Sequence, residues 1–74
     1  MDVAKSKIYQ VVGEAIHIQR RRSRMSQEKL AEKAGLNRNY IGEIERAEKN
    51  ITLETLEKIA KVLEVHVRDL FNGL

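Results

Sequence analysis

The sequence predicts an all-α fold, a compact five-helix domain built around a central pair of short helices. Three observations predict it. The chain has no proline and only four glycines, while Leu, Lys, Glu and Ala, all strong helix formers, are plentiful. Apolar residues recur three and four positions apart in several segments, the spacing that gathers side chains on one face of a helix. A cap, stop and cap pattern surrounds Gly35.

The central pair comes first because the rest of the chain packs around it. Ser26 is a good N-cap for a helix from Gln27 to Ala34, with Glu28 in the first turn where the helix dipole favours a negative charge. Gly35 supplies the stop, since without a Cβ it takes positive φ at little cost. Asn37 then caps a second helix, Arg38 to Arg46. Leu30, Ala31, Ala34, Leu36, Ile41 and Ile44 fall on the inner side of this corner. Arg38, Asn39, Tyr40, Gly42 and Glu43 are left outward. That set suits a DNA major groove: Arg can donate twice to guanine, Asn can bond adenine bidentately, and Glu can accept from the cytosine amino group. The plainer reading is a helical corner with a solvated polar face. Gly42 costs on the order of 1 kcal/mol relative to Ala in a helix interior, which is offset if another element approaches closely there and is otherwise uncompensated.

Before the corner, Ile8, Val11, Val12, Ala15 and Ile16 form the apolar side of a helix from about Lys7 to Arg22. Residues Met1 to Ser6 carry little pattern and are expected to fray. Ile18 lies off the stripe, as a peripheral contact or a small exposed apolar site. Arg20, Arg21, Arg22 and Arg24 make the densest basic patch, suited to phosphate contact or to a solvated helix end favoured by the dipole. After the corner, Arg46 and Lys49 offer further cations. Thr52 can cap a helix from Leu53 to Leu63 with an inward stripe of Leu53, Leu56, Ile59, Ala60 and Leu63. Glu54 with Lys58 and Glu57 with Lys61 are pairs of a solvent-facing helix. A short fifth helix is expected within Val65 to Phe71. Val62, Val65, Val67, Leu70 and Phe71 supply more apolar groups than the rim of one small domain needs. They either form a two-fold interface or close the monomer core.

Composition narrows the function. Seventy-four residues make one domain, 1–74, with 62–74 contributing to a dimer contact. A chain this short buries only roughly 60% of the surface its unfolded form exposes, so its stability leans on a partner. Fourteen basic against eleven acidic side chains give a net charge of +3, so a nucleic-acid reading depends on where the charge sits. No cysteine is present, which removes thiol chemistry and fits a cytoplasmic location. No apolar run approaches membrane-spanning length. His17 and His66 stand far apart, and no spacing suggests a metal cluster, a cofactor, a small-molecule pocket or catalytic residues.

One set of residues ties these readings together: Gly13, Ile16 and Arg20; Met25 through Ala31; Gly35 and Leu36; Tyr40, Ile41, Ile44, Glu45 and Arg46; then Asn50, Leu53 to Leu56, Ile59, Ala60 and Leu63. From Gly13 to Phe71 the chain resembles the phage Cro/repressor-type helix-turn-helix domain. The strings NRNYIGEIERAEKN and TLETLEKIAKVL are similar to the controller proteins of restriction-modification systems, small homodimers that bind near an operon promoter. The resemblance implies a homodimeric, sequence-specific regulator of transcription on double-stranded DNA, without enzymatic activity. It implies an ion pair between Arg20 and Glu45, and a phosphate contact at Gln27, where the alternative is an ordinary surface glutamine. The expected base-reading residues are Arg38, Asn39, Tyr40 and Glu43. The expected phosphate contacts are Arg21, Arg22, Arg24, Gln27, Asn37, Arg46 and Lys49. The competing use of such a domain is a protein-interaction module of the antitoxin or coactivator kind. Ala47, Ile51, Glu64 and His66 depart from the residues common in the family, so irregular helix ends are expected there.

Overall fold

A computed structural model describes residues 6–74. Its elements are α1 (Lys7–Arg22), α2 (Gln27–Ala34), α3 (Arg38–Glu45), α4 (Leu53–Leu63) and a 3₁₀ helix (Val67–Phe71). The fifth element is therefore a tighter 3₁₀ segment and not a fifth α-helix. Five residues are too few to reward the wider α ring. The expectation of a frayed start lies outside the described residues, except at Ser6. That residue is buried, and its carbonyl accepts from Gln10 N at 3.1 Å.

The helix starts are set locally. Ser26 Oγ accepts from Lys29 N at 2.9 Å, Asn37 Oδ1 from Asn39 N at 2.7 Å, and Thr52 Oγ1 from Thr55 N at 3.0 Å. Each satisfies a donor that the first turn of a helix leaves without a partner.

The helix ends share one device. After α1 to α4 the chain takes a left-handed residue, Arg24, Gly35, Ala47 and Glu64 in turn, with φ of 57°, 70°, 59° and 60°. The following amide returns to a carbonyl in the last turn: Met25 to Arg20, Leu36 to Ala31, Glu48 to Glu43 and Val65 to Ala60, at 2.8 to 3.2 Å. This is the Schellman closure, which glycine fits best. Three of the four ends achieve it without glycine, at a cost of roughly 1 kcal/mol or more each. The irregular ends expected at Ala47 and Glu64 keep the regular geometry and take up the strain instead. At the last junction the Asp69 carboxylate accepts from His66 N at 3.1 Å and starts the 3₁₀ helix.

Between these ends the apolar faces meet in one core: Val12 and Ile16 from α1, Leu30 and Ala31 from α2, Ile41 and Ile44 from α3, Leu56, Ile59, Ala60 and Leu63 from α4, and Leu70. Ile16, Leu30, Ile41, Ile59 and Leu70 are sealed completely. Three apolar assignments change. Leu53, expected on the inward stripe, is 80% exposed. It occupies the first turn of α4, at the rim of an apolar recess lined also by Ile8, Tyr9, Val12, Ile51, Leu56 and Phe71. Ile8 at the start of α1 is likewise exposed. Leu70, expected at a two-fold interface, is fully buried within one chain and belongs to the core. Val62, Val65, Val67 and Phe71 pack against that core with part of their surface still open. Ile18 is 39% exposed.

Candidate nucleic-acid interface

The α2–turn–α3 corner presents the first half of α3 to solvent. Arg38 and Asn39 occupy its first turn and are exposed. Arg38 Nη1 donates to Glu28 Oε2 at 3.2 Å, with both side chains more than two-thirds exposed. Such a pair is worth little in water and releases the guanidinium at small cost. Arg38, Asn39, Glu43 and Arg46 of the α3 segment line one polar recess with Gln27 from α2, and Gly42 forms part of its wall. Gly42 is buried and does not belong to the outward set. A Cβ there would stand 3.0 Å from Arg46 Nη1 and 3.3 Å from Gln27 Oε1. The close approach considered for this glycine is made by the ends of two long side chains, with no backbone among its near contacts.

The remaining candidates divide. Tyr40 is half-buried, and its hydroxyl donates to the Asn50 carbonyl at 3.0 Å. Its ring braces the α3–α4 connection and stands outside the recess. Asn37 is committed to capping α3 through its oxygen. Arg46 pairs with Glu48 at 3.1 Å on the surface. Arg21, Arg22, Arg24 and Lys49 are exposed and are not among the residues that line the recess.

Gln27 connects the recess to a densely bonded polar cluster around Glu45. Arg20 Nε donates to Glu45 Oε2 at 2.7 Å and Nη2 to Oε1 at 3.1 Å, a two-bond fork of the kind that makes Arg–carboxylate pairs strong. Arg20 Nη1 also donates to the Met25 carbonyl at 2.7 Å. Gln27 Nε2 donates to Glu45 Oε1 at 3.1 Å, and His17 Nδ1 lies 2.8 Å from the same oxygen. One carboxylate at the end of α3 thus joins α1 and α2. It is reached from α1 because His17 and Arg20 are three residues apart and share a face.

Burial pushes the Glu45 carboxyl up. Hydrogen bonds from Arg20, His17 and Gln27, with the charge of Arg20, outweigh that and hold it below its ordinary value of 4.5. The folded chain therefore keeps Glu45 ionised at pH values where the unfolded chain has begun to protonate it. The unfolded state then binds more protons, and stability falls as pH drops. The expected result is full stabilisation above about pH 4.5 and progressive loss below it. Urea denaturation across that range checks this, since Glu45→Gln should lose stability less steeply with acid. Identical slopes would remove Glu45 as the source.

Sequence reasoning missed His17, weighing it only as a lone histidine. Its three-residue spacing to Arg20 was the available signal, once Arg20 was paired with Glu45.

Comparison with known proteins places this geometry. Residues 16–70 match the helix-turn-helix family. The control protein C.SmaI of Serratia marcescens is 42% identical over 69 residues, covering 93% of this chain and 82% of that protein. The control protein C.BamHI of Bacillus amyloliquefaciens is 49% identical over 51 residues, covering 69% of this chain and 63% of that protein. The crystal structure of the restriction-modification controller protein C.AhdI from Aeromonas hydrophila superposes with a TM-score of 0.83 at 35% identity, covering 85% of this chain and 96% of that one. The chain belongs to the helix-turn-helix family of transcription regulators, and it is similar to restriction-modification controller proteins along most of its length.

Proposed function

We propose that this protein works in the cytoplasm as a homodimer that reads a pseudopalindromic DNA site and controls a restriction-modification operon. The observation that carries the reading is the recess where exposed Arg38 and Asn39 stand beside Gln27 and Arg46. Arg38 and Asn39 read base edges from the first turn of α3, with Glu43 further along it and Tyr40 holding the connection behind them. Gln27, at the start of α2, offers its amide and the helix N-terminus to a phosphate. Arg46, with Arg21, Arg22, Arg24, Asn37 and Lys49, supplies contacts that position the chain without reading sequence.

One α3 helix covers only a few base pairs, so a pair related by two-fold symmetry and spaced by about one turn of DNA, roughly 34 Å, is needed for a specific site. The half-open Val62, Val65, Val67 and Phe71 supply the apolar contact between copies. Phe71 joins them to the recess rimmed by Leu53.

The test is a titration of duplexes enriched from a random pool, and of their scrambled counterparts, at fixed salt. A clear preference for the enriched duplex, with two chains per site, is expected. Arg38→Ala should weaken the enriched duplex by roughly 10- to 100-fold, about 1 to 3 kcal/mol, and barely change the scrambled one. Thermal stability should stay at the wild-type value. Equal affinity for both duplexes in the wild type would end the claim of specificity.

A further inference from the structure

Glu45 gathers donors from α1 and α2, and one of the groups at its oxygen is an imidazole that none of the DNA contacts proposed above employs. His17 Nδ1 lies 2.8 Å from Glu45 Oε1, while 42% of the side chain remains exposed. The same nitrogen stands 3.2 Å from Arg20 Nη2. It cannot serve both as hydrogen-bond partners at once. Accepting from Arg20 would set the lone pair of Nδ1 against a carboxylate oxygen at 2.8 Å. Donation to the carboxylate is charge-assisted, and the distance is the one such a bond takes. Nδ1 therefore carries the hydrogen, and Nε2 is the nitrogen that can gain one. Among the described residues Nε2 makes no hydrogen bond.

His17 lines a second surface recess with Glu14, Gln27, Glu45 and Arg46. Gln27 and Arg46 are common to this recess and to the one beside Arg38 and Asn39. The imidazole thus borders the groove that the DNA-binding reading fills.

We propose that His17 is a proton-linked contact to the DNA backbone: Glu45 fixes the ring through Nδ1, and the imidazolium donates from Nε2 to a phosphate oxygen next to those met by Gln27 and Arg46. This rests on the DNA-binding reading given above. The charged groups facing the ring are Glu14 and Arg20 on α1, and Glu45 and Arg46 at the end of α3; α2 contributes the neutral Gln27. Two carboxylates favour the imidazolium and two guanidiniums oppose it. An arriving phosphate adds negative charge and tips that balance. By linkage, the complex takes up a proton, and affinity rises as pH falls.

The experiment titrates the full-length chain with an enriched duplex between about pH 6 and pH 8, the range of imidazole titration, at several salt concentrations. Wild type is compared with His17→Asn and His66→Asn. Asparagine carries its amide nitrogen close to the place of Nδ1, so it can still donate to Glu45, and it does not titrate. Wild type should bind about three- to tenfold more tightly at the acid end. Its log–log salt slope should steepen by about 0.9 there, the signature of one more neutralised phosphate. His17→Asn should show neither change, and His66→Asn should show both. Equal pH dependence and equal slopes in wild type and His17→Asn would overturn the proposal. So would an affinity loss in His17→Asn that is the same at every pH and follows a lower melting temperature, because that describes a merely structural role. Specific binding without the pH effect removes His17 alone. The absence of any specific binding, at any pH, removes the DNA reading with it.

Discussion

Arg20→Ala should melt at least about 12 °C below wild type and lose specific DNA binding with its fold. The fork of Arg20 ties α1 to the end of α3 through Glu45, and its third nitrogen holds the Met25 carbonyl just before α2. Both side chains are nearly closed to water, 11% exposed for Arg20 and 4% for Glu45. Truncating one partner of such a pair costs about 3 to 5 kcal/mol, chiefly because the other charge is left without its counterion. His17 and Gln27 still reach Glu45, which places the loss near the lower end, about 3 kcal/mol. A domain of this size is stable by only about 4 to 11 kcal/mol, and each kcal/mol moves its melting point by about 4 to 8 °C. Arg20→Lys keeps the charge and loses the fork, so it should fall between the two. Thermal unfolding beside a DNA titration checks this. If Arg20→Ala melts with wild type yet binds DNA poorly, Arg20 is acting on a phosphate and not on Glu45.

Gly13→Ala is expected to be nearly as damaging, for a reason of backbone geometry. The missing Cβ of Gly13 is where α1 crosses the end of α3. An added methyl would fall inside the contact distance of the Ile44 carbonyl oxygen and within 3.0 Å of that of Glu45. Those are backbone atoms in a helix end and cannot rotate aside, so the two helices must part. Overpacking of this kind costs up to about 3 kcal/mol, against a gain of about 1 kcal/mol from alanine's better helix propensity. A net loss near 2 kcal/mol lowers the melting point by about 8 to 16 °C. The parting also stretches the Arg20–Glu45 seam. Gly42→Ala makes the opposite case. Its methyl meets only the tips of Arg46 and Gln27, which can swing away, so stability holds or rises slightly while DNA affinity falls. Urea denaturation of both variants decides the matter, and a Gly13→Ala protein as stable as wild type would mean that the seam has room to spare.

What was legible in the sequence follows from the range over which each effect acts. Ser26, Asn37 and Thr52 could be read as caps because a cap bonds an amide two or three residues away. Gly35 could be read as a stop for the same reason. The stripes of α1, α2 and α4 were visible because helical periodicity is a property of neighbouring residues. Arg38 and Asn39 followed from them, since what is not on the buried side of a short helix faces out. The left-handed ends at Arg24, Ala47 and Glu64 carried no glycine to announce them. There the closing backbone hydrogen bonds and the turn into the next helix hold a conformation that these residues do not favour on their own.

By itself the sequence determined four helices, the caps of α2, α3 and α4, the polar outer face of α3 and the family to which the chain belongs. Only the tertiary structure decided that Leu53 stays in water, that Leu70 closes the core, that Gly13 lies against the backbone at the end of α3, and that His17 joins Arg20 and Gln27 around one carboxylate. The division has a physical cause. Periodicity says which way a side chain faces, but burial and pairing depend on whether another helix extends far enough, and at the right angle, to meet it.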